Sequence, residues 1–263
     1  MRSFCDLLAG MTEENGRFHV LISDDWLQGR TAYGGLSAAL CVEVAKRAVP
    51  DLPPLRSAQF TLIGPASGPL TMTASVLRRG KSAVFVGVDL TGEAGLAAHA
   101  ILSFGVARPS ALSFASLPMP RVKTIAQSEP FFPGDRSTIN FQQHFESRMA
   151  SGARPLTPGA DPEYLIWFRH RDPGAHHGIV PLIALADAPP PAAMVLFPQA
   201  APISTMTWSL DVLSDAPATT DGWWLIQSRA DAANQGYSAQ RMTLWNADGT
   251  PVIVARQNVA IFY

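Results

Sequence analysis

Two stretches of this chain, residues 35–106 and 178–262, carry the same succession of signals. Each begins at a glycine, continues as an apolar run with helical spacing, and then gives four segments that alternate apolar and polar residues. An alternating segment has one wet and one dry face. Short turns between such segments make antiparallel neighbours. A chain built this way must therefore fold as a helix laid on an antiparallel meander, and must do so twice. In the first stretch Leu36, Ala39, Leu40, Val44 and Ala48 share a helical face, and Pro50 and Pro53 end the helix. Strands are predicted over residues 56–63, 70–78, 83–90 and 96–106. In the second stretch the helix spans residues 178–187, and strands are predicted over 203–213, 223–230, 237–245 and 252–262. Further strands over 18–22, 137–146 and 164–171 precede the two helices. The fold class is α+β, with an N-terminal half over 1–108 and a C-terminal half over 136–263. Residues 109–135 hold Pro109, Pro118, Pro120, Pro130 and Pro133 and read as a linker crossing the surface.

Laid over each other, the halves match at several points. Gly35 matches Gly178 at the helix start, Gly80-Lys81-Ser82-Ala83 matches Gly236-Tyr237-Ser238-Ala239, and Gly95 matches Gly249 in the last turn. The differences carry more information. Asp187 stands nine residues beyond Gly178, where the first half has Val44. With a two-residue allowance in the last turn, Gln257 matches Ile101. One half thus places a carboxylate and an amide where the other places aliphatic side chains. A carboxylate in an apolar helix is costly unless hydrogen-bonded or paired. A polar set that occurs once in a duplicated scaffold has the pattern of one active site.

Composition narrows the class. With 47% hydrophobic and 16% charged residues, the chain has a substantial core. Its net charge of −1 gives no electrostatic case for nucleic acid or a membrane surface. No apolar run reaches the length of a membrane span, and the N-terminus lacks the apolar region of a signal peptide. Cys5 and Cys41 read as free thiols, which suits a reducing cytoplasm. His176-His177 has no acid or Cys at ligand spacing, so no metal is expected. Gly236-Tyr237-Ser238-Ala239-Gln240 lacks the second glycine and the helix of a nucleophile elbow.

A helix wrapped by an antiparallel sheet, duplicated within one chain, resembles the double-hotdog fold. The run Trp26-Leu27-Gln28-Gly29-Arg30-Thr31-Ala32-Tyr33-Gly34-Gly35 resembles the N-terminal signature of the medium-chain acyl-CoA thioesterase II family. Residues 224–257, with Asn246-Ala247-Asp248-Gly249 and Val254-Ala255-Arg256-Gln257, resemble its C-terminal end. The resemblance implies a tandem hotdog, a long helix in each half, and hydrolysis of an acyl-CoA without a cofactor, as in fatty acid metabolism. It carries the family's water-holding acid, hydroxyl and amide onto Asp187, Thr205 and Gln257. The chain departs from the family at Thr207, at Trp208-Ser209 and at Asn258-Val259. These departures leave open a second expectation, an acyl-CoA or acyl-chain binding protein of the same fold. A hotdog hydratase is disfavoured, because His176 and His177 have no Asp at the required spacing.

In the expected reaction Asp187 takes a proton from water, its carboxyl made more basic by the apolar helix. Thr205 and Gln257 orient that water. Backbone N–H groups at a helix start, Gly34-Gly35 or Gly178-Ile179, meet the oxyanion. Tyr33 is expected beside the substrate, and Arg78, Arg79 and Lys81 at the coenzyme A phosphates, with Arg229 and Arg241 as further candidates. Whether the chain forms a homo-oligomer stays open.

Overall fold

A computed structural model describes residues 1–132 and 139–263. The chain opens with α1 (Phe4–Ala9), β1 (Thr12–Glu14), β2 (Arg17–Ile22) and the short strands β3 (Leu27–Gln28) and β4 (Thr31–Ala32). The first copy follows: α2 (Gly34–Ala48), β5 (Leu55–Leu62), β6 (Gly68–Arg79), β7 (Ala83–Gly92) and β8 (Gly95–Gly105). Then β9 (Glu129–Pro130), β10 (Phe145–Gly152) and β11 (Glu163–His170) lead to the second copy. That copy is α3 (Ile179–Ala186), β12 (Ile203–Val212), β13 (Trp224–Asn234), β14 (Tyr237–Asn246) and β15 (Pro251–Ile261).

Among the described residues thirteen strands form one antiparallel sheet in the order β1-β2-β6-β7-β8-β5-β12-β15-β14-β13-β11-β10-β9. The two copies join at β5 and β12, where Phe60 pairs with Trp208 and Ala58 with Leu210. Helix α2 lies against β6, β7 and β8 and against α3. From Gly35 to Ala45 every residue except Glu43 is buried, so the predicted one-sided face becomes an all-round core. Alanines and glycines let sheet and partner helix approach from several sides. This is the double-hotdog α+β architecture.

The second helix is short. It has eight residues, ends at Asp187, and is followed by Pro189-Pro190-Pro191. A residue before proline is driven from the helical region, so α3 stops well short of the fifteen residues of α2.

Three pairs of β-bulges relate the copies residue by residue. The bulged positions are Arg56 and Met206, Leu77 and Asp231, and Ala97 and Val252. Aligning them sets Leu55 against Thr205, Val86 against Gln240, and Leu102 against Gln257. The sequence alignment, with Gln257 on Ile101 and Gly80–Ala83 on Gly236–Ala239, is displaced by one or two residues. A bulge adds one residue and shifts the in-and-out alternation beyond it, so an alignment that ignores the bulges drifts out of step. Ile101 is 37% exposed and faces out, whereas Gln257 faces in. The asymmetry survives the correction, since Leu102 is as aliphatic as Ile101.

Two segments differ from expectation. Residues 140–144 form a 3-10 turn rather than a strand, and β10 starts only at Phe145. Phe141 and His144 are both buried, and their spacing of three matches a 3-10 repeat. Ser137 and Thr138 of the predicted strand, and the last three residues of the predicted linker, lie outside the described residues. The rest of the linker does more than cross the surface. Met119, Val122 and Ile125 pack on Trp167, Trp223 and Trp245 on the outer sheet face. The indoles of Trp245 and Trp167 donate to the Leu117 and Lys123 carbonyls at 2.8 and 2.9 Å. Cys5 and Cys41 are free. Among the described residues no helix is long and apolar enough to cross a membrane.

Candidate active site

The site lies where the C-terminal end of α3 meets the N-terminal end of α2. Two adjacent glycines allow that meeting. A Cβ on Gly35 would fall 2.6 Å from the Ala184 carbonyl oxygen and 2.9 Å from the Asp187 Cβ. A Cβ on Gly34 would fall 2.8 Å from Asp187 Oδ2. Tyr33, just before them, donates its hydroxyl to the Ala184 carbonyl at 3.1 Å and so caps a carbonyl in the last turn of α3.

Asp187 is half-buried behind this contact. Burial pushes its carboxyl up from 3.8 to about 7, while hydrogen bonds from the Gln257 side chain and the Gly35 backbone oppose the rise. The carboxylate therefore gains and loses its proton near neutrality.

Gln257 faces inward from β15 and donates Nε2 to Asp187 Oδ1. Its own Oε1 accepts from Nε2 of Gln240 on β14, its cross-strand partner. Gln240 Oε1 in turn accepts from the Ala192 backbone N–H at 2.8 Å. Both amides are buried. Gln240 was legible in principle: residues 240 and 257 stand equally far from the Asp248-Gly249 turn, so a hairpin there pairs them.

Thr205 sits on the same sheet face, opposite Val259. The bulge at Met206 keeps both Thr205 and Trp208 on the inner side, with Trp208 directly opposite Gln257. Among the described residues the Thr205 hydroxyl makes no hydrogen bond to Asp187 or Gln257. Trp208 is buried, and its indole N–H has no partner among the described residues.

Several expected positions fall elsewhere. Gly178 and Ile179 start α3, and a helix of eight residues sets them about 12 Å from Asp187. They cannot meet an oxyanion formed beside that carboxylate. The Gly35 N–H is directed at Asp187, and Gly34 stands beside the same carboxylate. Tyr33 is 2% exposed and stacks on Phe141 at 4.2 Å, so its ring is part of the core rather than an open substrate wall. Arg78, Arg79 and Lys81 are exposed at the β6–β7 turn. Arg79 donates to the Pro50 carbonyl at 3.2 Å, beyond the far end of α2. That lies a fifteen-residue helix, about 22 Å, from the Asp187 end. Arg229 and Arg241 pair with Glu163 and Asp231. Among the described residues no cluster of metal-ligating side chains occurs.

Comparison with known proteins places this architecture. Residues 22–105 match the acyl-CoA thioesterase N-terminal domain, and residues 123–261 match the acyl-CoA thioesterase C-terminal domain. A hotdog protein of unknown function from Alicyclobacillus acidocaldarius superposes with a TM-score of 0.87 at 21% identity, covering 98% of this chain and 97% of that one. The tesB protein of Mycobacterium avium subs paratuberculosis gives 0.77 at 16% identity, over 98% and 99% of the two chains. An acyl-CoA thioesterase II from Mycobacterium marinum gives 0.76 at 17% identity, over 98% of each. A search of curated protein sequences gives no match. These likenesses share the fold, and the two domain matches together extend over most of the sequence. The chain therefore belongs to the acyl-CoA thioesterase family, in both of its halves.

Proposed function

We propose that this chain hydrolyses acyl-CoA thioesters with Asp187 as general base. The observation that carries the reading is one carboxylate poised near neutrality, held by a buried amide at the start of α2. A base works best when its pKa lies near the working pH. Ionised Asp187 takes a proton as water attacks the carbonyl carbon. The tetrahedral oxyanion is met by the N–H of Gly34. Collapse breaks the carbon–sulfur bond, and the leaving thiolate receives the proton from Asp187. Thr205, on the neighbouring strand, supplies a hydroxyl to orient the water. Family membership supports an acyl-CoA as the substrate.

The test is thiol release from a panel of acyl-CoAs by the wild type and by Asp187→Ala. Hydrolysis by the wild type and its loss in the variant are expected. Equal turnover in both would refute the role of Asp187.

A further inference from the structure

We infer that Gln240 is a positioning residue that fixes which end of the Gln257 amide faces Asp187. The inference rests on the reading of Asp187 as the base. A glutamine amide has two ends of nearly equal size and opposite chemistry. If Gln257 turned over, its oxygen would face the carboxylate and repel it. Something must therefore set the direction.

The setting group is the Ala192 backbone N–H, which can only donate. Asp187 and Ala192 are separated by Ala188-Pro189-Pro190-Pro191. The three prolines have no N–H, and the Ala188 N–H is taken by the Leu185 carbonyl at 3.0 Å. Ala192 is thus the donor this segment offers to Gln240, at 2.8 Å. Receiving it, Gln240 must present oxygen to Ala192 and nitrogen to Gln257. Gln257 must then present nitrogen to Asp187. The direction runs Ala192 to Gln240 to Gln257 to Asp187, with both amides at most 5% exposed and so shielded from water that could reverse them.

The other half of the molecule shows that the scaffold does not require this chain. Val86 and Leu102 occupy the bulge-aligned positions of Gln240 and Gln257, and both are fully buried. An apolar side chain therefore fits there, and a buried glutamine pair is a feature of the half that holds the acid.

The experiment measures kcat, KM and the pH profile of acyl-CoA hydrolysis for the wild type, Gln240→Met and Gln240→Glu. Gln240→Met keeps the volume and removes both polar ends, leaving Gln257 free to turn. We expect kcat to fall about tenfold, the effect of one misdirected hydrogen bond, with KM little changed. The acidic limb of the profile should move up by roughly half to one pH unit, because Asp187 loses part of its donor. The other titratable groups near Asp187, Tyr33 and Tyr164, are both held neutral by burial and do not contribute to that limb. In Gln240→Glu an ionised carboxylate accepts from Ala192 but cannot donate to Gln257, and it draws the Gln257 nitrogen away from Asp187. That variant should lose more activity than Gln240→Met, and its activity relative to the wild type at the same pH should recover in part as the pH falls and the new acid is protonated. A structural role alone would not reverse in this way. Wild-type kcat and an unmoved acidic limb in both variants, with Asp187→Ala inactive, would overturn the positioning role. Activity retained in Asp187→Ala would overturn the base assignment and the positioning role with it.

Discussion

Replacing Asp187 with Asn should make the protein more stable while removing its activity, and the gain should depend on pH. The Asp187 carboxyl rises from 3.8 to about 7 on folding. The native state therefore holds this proton more tightly than the unfolded chain. Below about pH 4 the group is protonated in both states and imposes no penalty. As the pH rises through the folded value the unfolded chain is favoured, so stability is lost between about pH 4 and pH 7 and the loss is flat above. Each pK unit is about 1.4 kcal/mol, which gives about 4 kcal/mol at full ionisation. Asn is neutral throughout and still accepts from Gln257 through its oxygen. Allowing for the half-exposed setting of Asp187, the variant should exceed the wild type by about 2–4 kcal/mol at pH 8 and by close to zero at pH 4. Denaturant unfolding of both proteins across pH 4–9 measures the difference, in which all other titrating groups cancel. A difference independent of pH, or a variant less stable at pH 8, would refute the argument that burial sets the basicity of Asp187.

Two further outcomes follow from packing. Gly35→Ala places a methyl 2.6 Å from the Ala184 carbonyl oxygen; separating the two helices to admit it should lower stability by about 1–3 kcal/mol and reduce kcat, as read by thermal unfolding and thiol release. Trp245→Ala opens the outer apolar cluster and removes the bond to Leu117; it should cost about 3–5 kcal/mol and speed proteolysis within residues 106–128, while kcat/KM of the folded protein stays at the wild-type value.

The sequence was most legible where local rules and global fold agree. Alternation located every strand of the two meanders, because one face of each is dry and the other is not. It misplaced residues 140–144, where Phe141 and His144 are buried with the spacing of a 3-10 turn, too short a run to stand out from a strand. The long-range register was out of reach, since the bulges at Met206, Asp231 and Val252 shift pairing by one residue and leave no mark in composition. Asp187 and Gln257 stood out because their counterparts are apolar. Gln240 did not, although its counterpart is a valine in either alignment, because its partnership with Gln257 emerges only when the hairpin between β14 and β15 is paired residue by residue. The oxyanion candidates Gly178 and Ile179 failed for a geometric reason: sequence reading treats a helix as one place, whereas its two ends lie about 12 Å apart.

The proline segment after Asp187 has a consequence for how such a site could be copied. Grafting Gln onto positions 86 and 102 and an acid near them would reproduce the side chains in the other half. It would not reproduce their sense of direction, because residues 49–54, which join α2 to β5, hold no 3-10 turn like the one that begins at Ala192. Two amides without a fixed donor behind them are directed from the acid's end alone. With Ala192 behind them they are directed from both ends. The information that makes this half of the molecule a candidate enzyme is thus held partly in a backbone whose three prolines are informative for the hydrogen bonds they cannot make.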